Sequence, residues 1–491
     1  MKRIDCRFHA GTNTYTAIAA ILALTAAAVA PVATASRRPQ TGGMLRVQIS
    51  ERIGAIDPRQ WPSAAAQAAA AERVDSLVFD RLVRVDKHGT LQPALAISWQ
   101  HDAQWKRWQF RLREGVKFSD GTPLTPSIAA MALQQLLGIN FDVSANSDSV
   151  VILADQSLPN FPTQLATGRY FVFNAGDGGS VAGTGPFREF VRESMNRADR
   201  IVFVANETCW AGRPFVDKID LMLNVDIEQQ ANAIAFGQAD VVELPASQVR
   251  RSMQRGIRTV STEPIELFAL VFDGVRPAMQ DARVRQAISL AIDRSSIADV
   301  ILQRQGLVAG GLLPNWISGY AHLFPVSFDV PRAKDLLAAS GHALLRSTPL
   351  VLFYDSGDAE ARAVADRVAV NLREIGIIIQ VSGHPSDGKT KPTVADLRLV
   401  RHHLTGTDPA ASLSELLNSL GETATELGSP EQIYAAERAP IDAFRVIPLV
   451  HVTESYGLSP QVRDWMAPRW GGWDLADVWL GAPPSTVGNT P

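Results

Sequence analysis

Apolar and polar residues alternate along Met44–Ile49 (MLRVQI), which predicts a strand, and Ile56–Pro58 (IDP) predicts the turn that closes it. Residues 64–86 (AAAQAAAAERVDSLVFDRLVRVD) repeat their apolar positions near every 3.6 residues, so a helix should run into a short extended piece. RWQFRLREGVKFSDGTPLT reads as a strand, a turn at Asp120-Gly121, and a helix start where Thr125 caps and Pro126 takes the first helical position. RIVFVAN alternates as a strand, and EQQANAIAFGQADVVEL reads as a helix stopped by Gly237 and followed by a strand. The segment DARVRQAISLAIDRSSIADVIL places Val284, Ala287, Ile288, Ala291 and Ile292 on one helical face. DVPRAKDLLAASG is a second helix, capped by Asp329 and stopped by Gly341. Then TPLVLFYDSGD, AEARAVADRVAVNLREIG and IIIQVSG form a strand–helix–strand unit, the building block of parallel or mixed sheets. The fold class expected is α/β.

No period of 20–50 residues recurs, which argues against repeat architectures. At 491 residues the chain exceeds what one hydrophobic core fills, so at least two lobes are expected. The first 35 residues differ from the rest. Lys2, Arg3 and Arg7 precede the apolar run AIAAILALTAAAVAPVA, and small residues end it at Ala33–Ala35. That is the pattern of a cleaved secretory signal peptide over residues 1–35. The run is shorter than the ~20 residues of a membrane-spanning helix. Cleavage would remove Lys2, Arg3, Arg7 and Asp5, taking the net charge from −3 to −5. Cys6 would leave with it, so Cys209 has no internal partner and no disulfide scaffold is expected. No cysteine stands at the cleavage point, which argues against a lipid anchor and for a soluble periplasmic protein. With 46% hydrophobic and 20% charged residues and no basic excess, nothing points to nucleic acid or an anionic membrane.

Candidate chemistry is sparse. VAGTGPF lacks the Rossmann spacing and the Walker lysine, and reads better as a tight backbone crossing at a lobe junction than as a phosphate loop. Arg283 and Arg285 read as a solvated or capped helix end, with a ligand-facing arginine as the alternative, and Asp293-Arg294 as a simple surface pair. There is no G-x-S-x-G elbow and no H-E-x-x-H, so neither an enzyme nor a resident metal or cofactor is expected. The stretch RHHLTGTDPAA is the exception. If His402 and His403 lie on a strand they point to opposite faces and rarely reach one ion, so either one faces a cleft or both are structural.

Several stretches in order resemble the family 5 extracellular solute-binding proteins of ABC importers, which include peptide-, nickel- and sugar-binding receptors. They are IDP at Ile56, LVFDRLVRVDKHGTLQPALAISWQ, WQFRLREGVKFSDGTPLT, GTGPF at Gly183, ANETCWAGRPFVDKIDL, AFGQADVVELP, DARVRQAISLAIDRSSIADVIL, DVPRAKDLLAASG, LREIGIIIQV, TDP at Thr407 and IPLVHVTESYGLSPQV. The resemblance runs from Met44 to about Leu480 and implies a two-lobed type II periplasmic-binding-protein fold with mixed sheets and two crossing hinge strands. It places a discontinuous first lobe near Met44–Trp61, Ala182–Ser261 and His451–Pro491, a reduced subdomain at Pro62–Val181 and a second lobe at Thr262–Val450. The crossings fall near Ser261–Glu266 and Leu449–Thr453. It further implies a monomer that closes on a small-molecule or peptide-like ligand and delivers it to a membrane permease.

The same resemblance points to ligand-binding residues. Arg52, Ile53 and Gly54 precede IDP, where the peptide branch offers backbone to extended ligands, and Arg52 replaces what is often an acidic residue, which favours an anionic ligand group. His402 falls where some relatives carry an aromatic that stacks on the ligand, and His403 adjoins it. Thr405 stands where the peptide branch carries the aspartate that anchors the ligand's ammonium, unless Asp408 takes that role in another register. A buried ammonium without its carboxylate costs roughly 3–5 kcal/mol, about two to three and a half decades of affinity, so ordinary free-amine peptides are disfavoured. The segments before GTGPF and between His384 and Arg438 look short for the family, which leaves a transport-eroded, chaperone-like or regulatory descendant as the alternative and a secreted hydrolase as a remote one.

Overall fold

The computed structural model describes residues 39–482, apart from 63–64, 87–88, 177–178, 195–198, 274–275, 321–323, 343–344, 346, 386–394, 405, 407, 424–426 and 468–471. An 11-stranded mixed sheet runs through the molecule. Its first half holds β1 (Met44–Gln48), then helix α1 (Ala65–Val78), β2 (Phe187–Ser194), β3 (Asp199–Ala205), β4 (Lys218–Leu223) and β5 (Val241–Leu244). Helix α2 (Ala246–Gln254) leads into β6 (Arg258–Phe272). The second half adds β7 (Gly306–Val308), β8 (Leu350–Asp355), helix α3 (Ala359–Glu374), β9 (Ile379–His384), β10 (Leu397–His403), helix α4 (Pro409–Ser419) and β11 (Val446–Leu458). The strand order is β2-β3-β4-β1-β5-β11-β6-β10-β8-β9, with β7 on β11.

β6 and β11 belong to both halves. They pair antiparallel over Arg258–Val271 and Val446–Leu458, while β5 takes the first-lobe end of β11 and β10 the second-lobe end of β6. The ladder shifts register around Pro264. Proline has no amide hydrogen to give a ladder, and a local irregularity accommodates it. The predicted crossings at Ser261–Glu266 and Leu449–Thr453 lie within these two strands.

Each lobe has its own core. In the first, α1 buries Ala70, Val74, Leu77 and Val78 against Leu45 and Val47 of β1 and Leu221 of β4. A separate four-stranded antiparallel sheet (Ala96–His101, Arg107–Leu112, Ser149–Ala154, Phe141–Asn146) packs on the helix Pro126–Leu137 around Phe110, Leu133 and Ile152. Thr125 caps that helix, its Oγ1 accepting from Ile128 N, with Pro126 at the first turn as predicted. In the second lobe, Val284, Ala287, Ile288 and Ala291 pack against Phe268, Leu352 and Val364. Fully burying each valine, leucine, isoleucine or phenylalanine among them contributes about 1.5–3 kcal/mol.

Two readings change. The helix predicted across 281–302 ends at Ala291, because Ile292 is extended (φ −88°, ψ 115°) and Asp293 caps a new turn by accepting from Ser296 N. Arg294 is no surface pair: it is buried, its guanidinium donating to Pro448 O at 2.7 Å and Ser289 O at 3.1 Å, and burial lowers its pKa to about 10. Arg283 and Arg285 are helix-end residues, bonded to Asp281 and to the carbonyls of Ala339, Ala443 and Met279. In VAGTGPF the backbone does make a tight crossing. A Cβ on Gly183 would sit 1.9 Å from the Val78 carbonyl oxygen, and Gly185 N donates to that same oxygen.

Candidate functional site

The charged centre of the molecule lies where β6, β10 and β11 cross between lobes. His403 ends β10 and sits opposite Glu266 of β6. Alternation along a strand puts Arg401 and His403 on one face of β10 and His402 on the other. On β11 it likewise sends Glu454 and Tyr456 to the same side, where the Tyr456 hydroxyl donates to Glu454 Oε2 at 3.0 Å. From the first lobe, α1 delivers Arg73, which is 5% exposed and pairs with Glu454 and, at 3.2 Å, with Glu243 of β5. Ser50 fixes Glu243 by donating from both its amide and its hydroxyl at 2.7 Å.

His403 Nδ1 lies 3.2 Å from Glu454 Oε1 and 3.8 Å from Glu266 Oε1, so it is hydrogen-bonded to the first and electrostatically paired with the second. Burial alone would lower its pKa, but the facing carboxylates, Glu454 foremost, raise it to about 9. It is therefore an imidazolium at neutral pH. Burial opposes ionisation of Glu454 as well, yet Arg73 and His403 hold its carboxyl well below the usual carboxylate range. Arg401 anchors the second-lobe side, donating to Glu266 Oε2 at 3.0 Å and to Asp358 Oδ2 at 2.9 Å, with Glu360 at 3.3 Å. Glu51, just after β1, is half-buried. Burial first, and then the neighbouring Glu243 and Asp355, push its pKa to about 7.

The predicted site residues separate. His403 enters this cluster. His402 turns to the other face, where it shares the ladder with Leu267 and His451, and its Nε2 has no hydrogen-bond partner. Burial lowers the pKa of His402 and His451 to about 4, so both are neutral, and His451 Nε2 donates to Leu312 O at 3.0 Å. Asp408 caps α4 by accepting from Ala411 N, and its other oxygen accepts from Asn160 of the small subdomain at 2.8 Å. That bond ties the loop before α4 to the segment around Asn160, and Gly406 approaches Thr167 in the same place. Arg52 is exposed and Ile53 buried, and the Gly54 carbonyl accepts from Arg192 at 2.7 Å. Thr405 lies outside the described residues.

Residues 90–423 match the family model described as bacterial extracellular solute-binding proteins, family 5. The chain belongs to this family. Among its family 5 relatives, the nickel-binding periplasmic protein of Escherichia coli K12 is 28% identical over 353 residues, 63% of this chain and 66% of its own length, so the match spans just under two thirds of that protein. Among solved structures, the oligopeptide-binding protein AppA of Bacillus subtilis with a nonapeptide aligns with a TM-score of 0.76 at 16% identity, covering 90% of this chain and all of the other. NikA of Brucella suis with Fe(III)-EDTA aligns at 0.75 and 19% identity over 89% of this chain and all of its own. These likenesses establish the fold as the two-lobed type II binding-protein architecture with mixed sheets.

Sequence reasoning passed over Arg73, Glu243, Glu266 and Glu454. A signal for two of them stood in the strands themselves. Glu266 interrupts the apolar run PIELFALVF, and Glu454 interrupts the buried stretch of β11. A charge on a strand buried on both faces needs a partner.

Proposed function

We infer that this chain is a periplasmic substrate-binding receptor of an ABC importer. It closes its lobes, with boundaries near those given above, on a small peptide-like, oligomeric or chelate solute and delivers that solute to a membrane permease. The observation that carries the reading is the crossing itself: two strands shared by both lobes bear a buried polar cluster to which each lobe contributes. Such a hinge lets open and closed forms differ by a few kcal/mol, so a ligand touching both lobes selects the closed one. Micromolar affinity needs only about −8 kcal/mol. The mature chain acts as a soluble, non-lipidated monomer after loss of residues 1–35. Arg52 meets an anionic ligand group, and Arg52→Ala leaving affinity unchanged would refute that role. The direct test is native mass spectrometry of the chain purified from its own periplasm, followed by denaturation. A stoichiometric small molecule supports a receptor. An empty protein, with a melting temperature that ignores peptides, sugars and metal chelates, supports the transport-eroded descendant instead.

A further inference from the structure

Two cores of the molecule are joined near the surface by a side-chain hydrogen bond. Asn160 precedes the short helix Phe161–Leu165, whose Phe161 and Leu165 belong to the core of the four-stranded sheet. Asp408 precedes α4, whose Leu413 and Leu416 pack in a different core with Leu267 and Leu404. The Asn160 side chain donates from Nδ2 to Asp408 Oδ2 at 2.8 Å, across 248 positions of sequence. An asparagine before a helix ordinarily turns back to cap it, accepting from an amide of the first turn. Asn160 makes no such bond. Main-chain bonds hold that turn instead, the Asn160 carbonyl accepting from Thr163 N at 3.0 Å and Gln164 N at 3.2 Å. The turn therefore stands without the side chain, which reaches the distant partner.

Asp408 is braced to receive it. Its Oδ1 accepts from Ala411 N at 2.8 Å, its carbonyl accepts from Ser412 N at 2.9 Å, and the Ser412 hydroxyl donates to Gly406 O at 3.0 Å. These bonds fix the end of the loop, so Oδ2 is held in one direction. Beside it, a Cβ on Gly406 would stand 3.4 Å from Thr167 Oγ1, so the absence of a side chain at 406 lets the two segments come together. Asp408 is buried while Asn160 is exposed, so water replaces each partner as soon as they separate. A bond of this kind is weak enough to break and directional enough to bias an equilibrium.

We propose that Asn160 and Asp408 form a clasp that favours the closed form before any ligand arrives, and that its release governs how easily the cleft opens. The proposal rests on the receptor reading above, under which Asn160 stands on the first-lobe subdomain and Asp408 on the second lobe. Opening exchanges this bond for water, and closing remakes it. The clasp adds the same increment to closure whatever the ligand is, because it raises the fraction of the chain already in the binding-competent form. It therefore tunes affinity without choosing the ligand, and Asp408 serves closure.

The test measures the distance between spin labels on Met131→Cys and Val370→Cys, both exposed positions, in a Cys209→Ser background of the mature chain dialysed free of small molecules. The ratio of the short to the long distance reports closed against open. Asn160→Ala should lower that ratio about 5-fold. Asn160→Asp, which sets a second carboxylate against Asp408, should lower it further. Combining Asn160→Asp with Asp408→Asn rebuilds the bond with donor and acceptor exchanged and keeps a capping side chain on α4, so it should restore the ratio. A ratio that both Asn160 variants leave unchanged, or that the exchanged pair fails to restore, overturns the clasp and leaves the receptor reading standing, because the lobes still move. A single distance that persists in every variant, including Gly406→Trp, whose bulk would meet Thr167, shows lobes that do not part. That result overturns the receptor reading itself, and the clasp with it.

Discussion

Replacing His403 by Gln removes the cation between Glu454 and Glu266 while keeping a polar side chain of similar reach. The imidazole titrates near 6.5 when free and near 9 in the folded protein. Holding the proton across that interval is worth about 3 kcal/mol. Because the folded value is raised, the contribution is fully present below pH 6.5 and is lost as pH rises through 9. His402 and His451 have the opposite sign. Their folded values near 4 are depressed, so their contribution is present above 6.5 and lost as pH falls toward 4. The window from pH 6.5 to 9.5 therefore isolates His403, and titrations common to both proteins, Glu51 included, cancel in the difference. Urea unfolding followed by tryptophan fluorescence gives the stability gap between wild type and His403→Gln. The gap should shrink by about 3 kcal/mol between pH 6 and 9.5. A gap that is flat, or that widens toward alkaline pH, would refute the imidazolium and the ion-pair geometry that raises it.

Arg73→Met leaves Glu454 and Glu243 buried without their arginine and should cost about 3–5 kcal/mol, read as a lowered urea midpoint at pH 7. Gly183→Ala should lower the melting temperature by several degrees, since its Cβ would meet the Val78 carbonyl at 1.9 Å and backbone on both sides must move. Asp408→Ala loses both the cap of α4 and the Asn160 bond, whereas Asn160→Ala loses the bond alone; denaturation should show the first less stable than the second by about 1 kcal/mol.

Local signals were readable because they depend on neighbours in sequence. Thr125-Pro126, Asp329 and Gly341 bound their helices where composition put them, and Gly341 takes φ +75°, a conformation glycine adopts without strain. The second-lobe strand–helix–strand unit was legible from its switch between periods of two and 3.6. The break at Ile292 was not, because an Asp-Arg-Ser-Ser cap that restarts a helix has the same spacing as one that continues it. The site was half legible. The two histidines announced themselves, but only the ladder register decides which of them meets Glu266. Arg73 and Glu454 are 381 positions apart, and no local pattern pairs them. Glu72, Arg73 and Asp75 are buried in a helix whose alanines suggested a plain packing face.

The distribution of these pairs bears on how closure is controlled. Arg73 keeps Glu243 and Glu454, and Arg401 keeps Glu266, Asp358 and Glu360, so each lobe neutralises most of its own charge before the lobes meet. His403 is the exception: it stands on the second-lobe strand yet pairs with Glu454 at 3.2 Å, so movement that parts these two would break a buried ion pair at a cost of about 3–5 kcal/mol. The Asn160–Asp408 hydrogen bond favours the closed form by only about 1 kcal/mol. Under the receptor reading, a ligand that touches both lobes adds its own differential binding to this balance. Moving a population from 1:99 to 99:1 takes about 5.5 kcal/mol of differential binding.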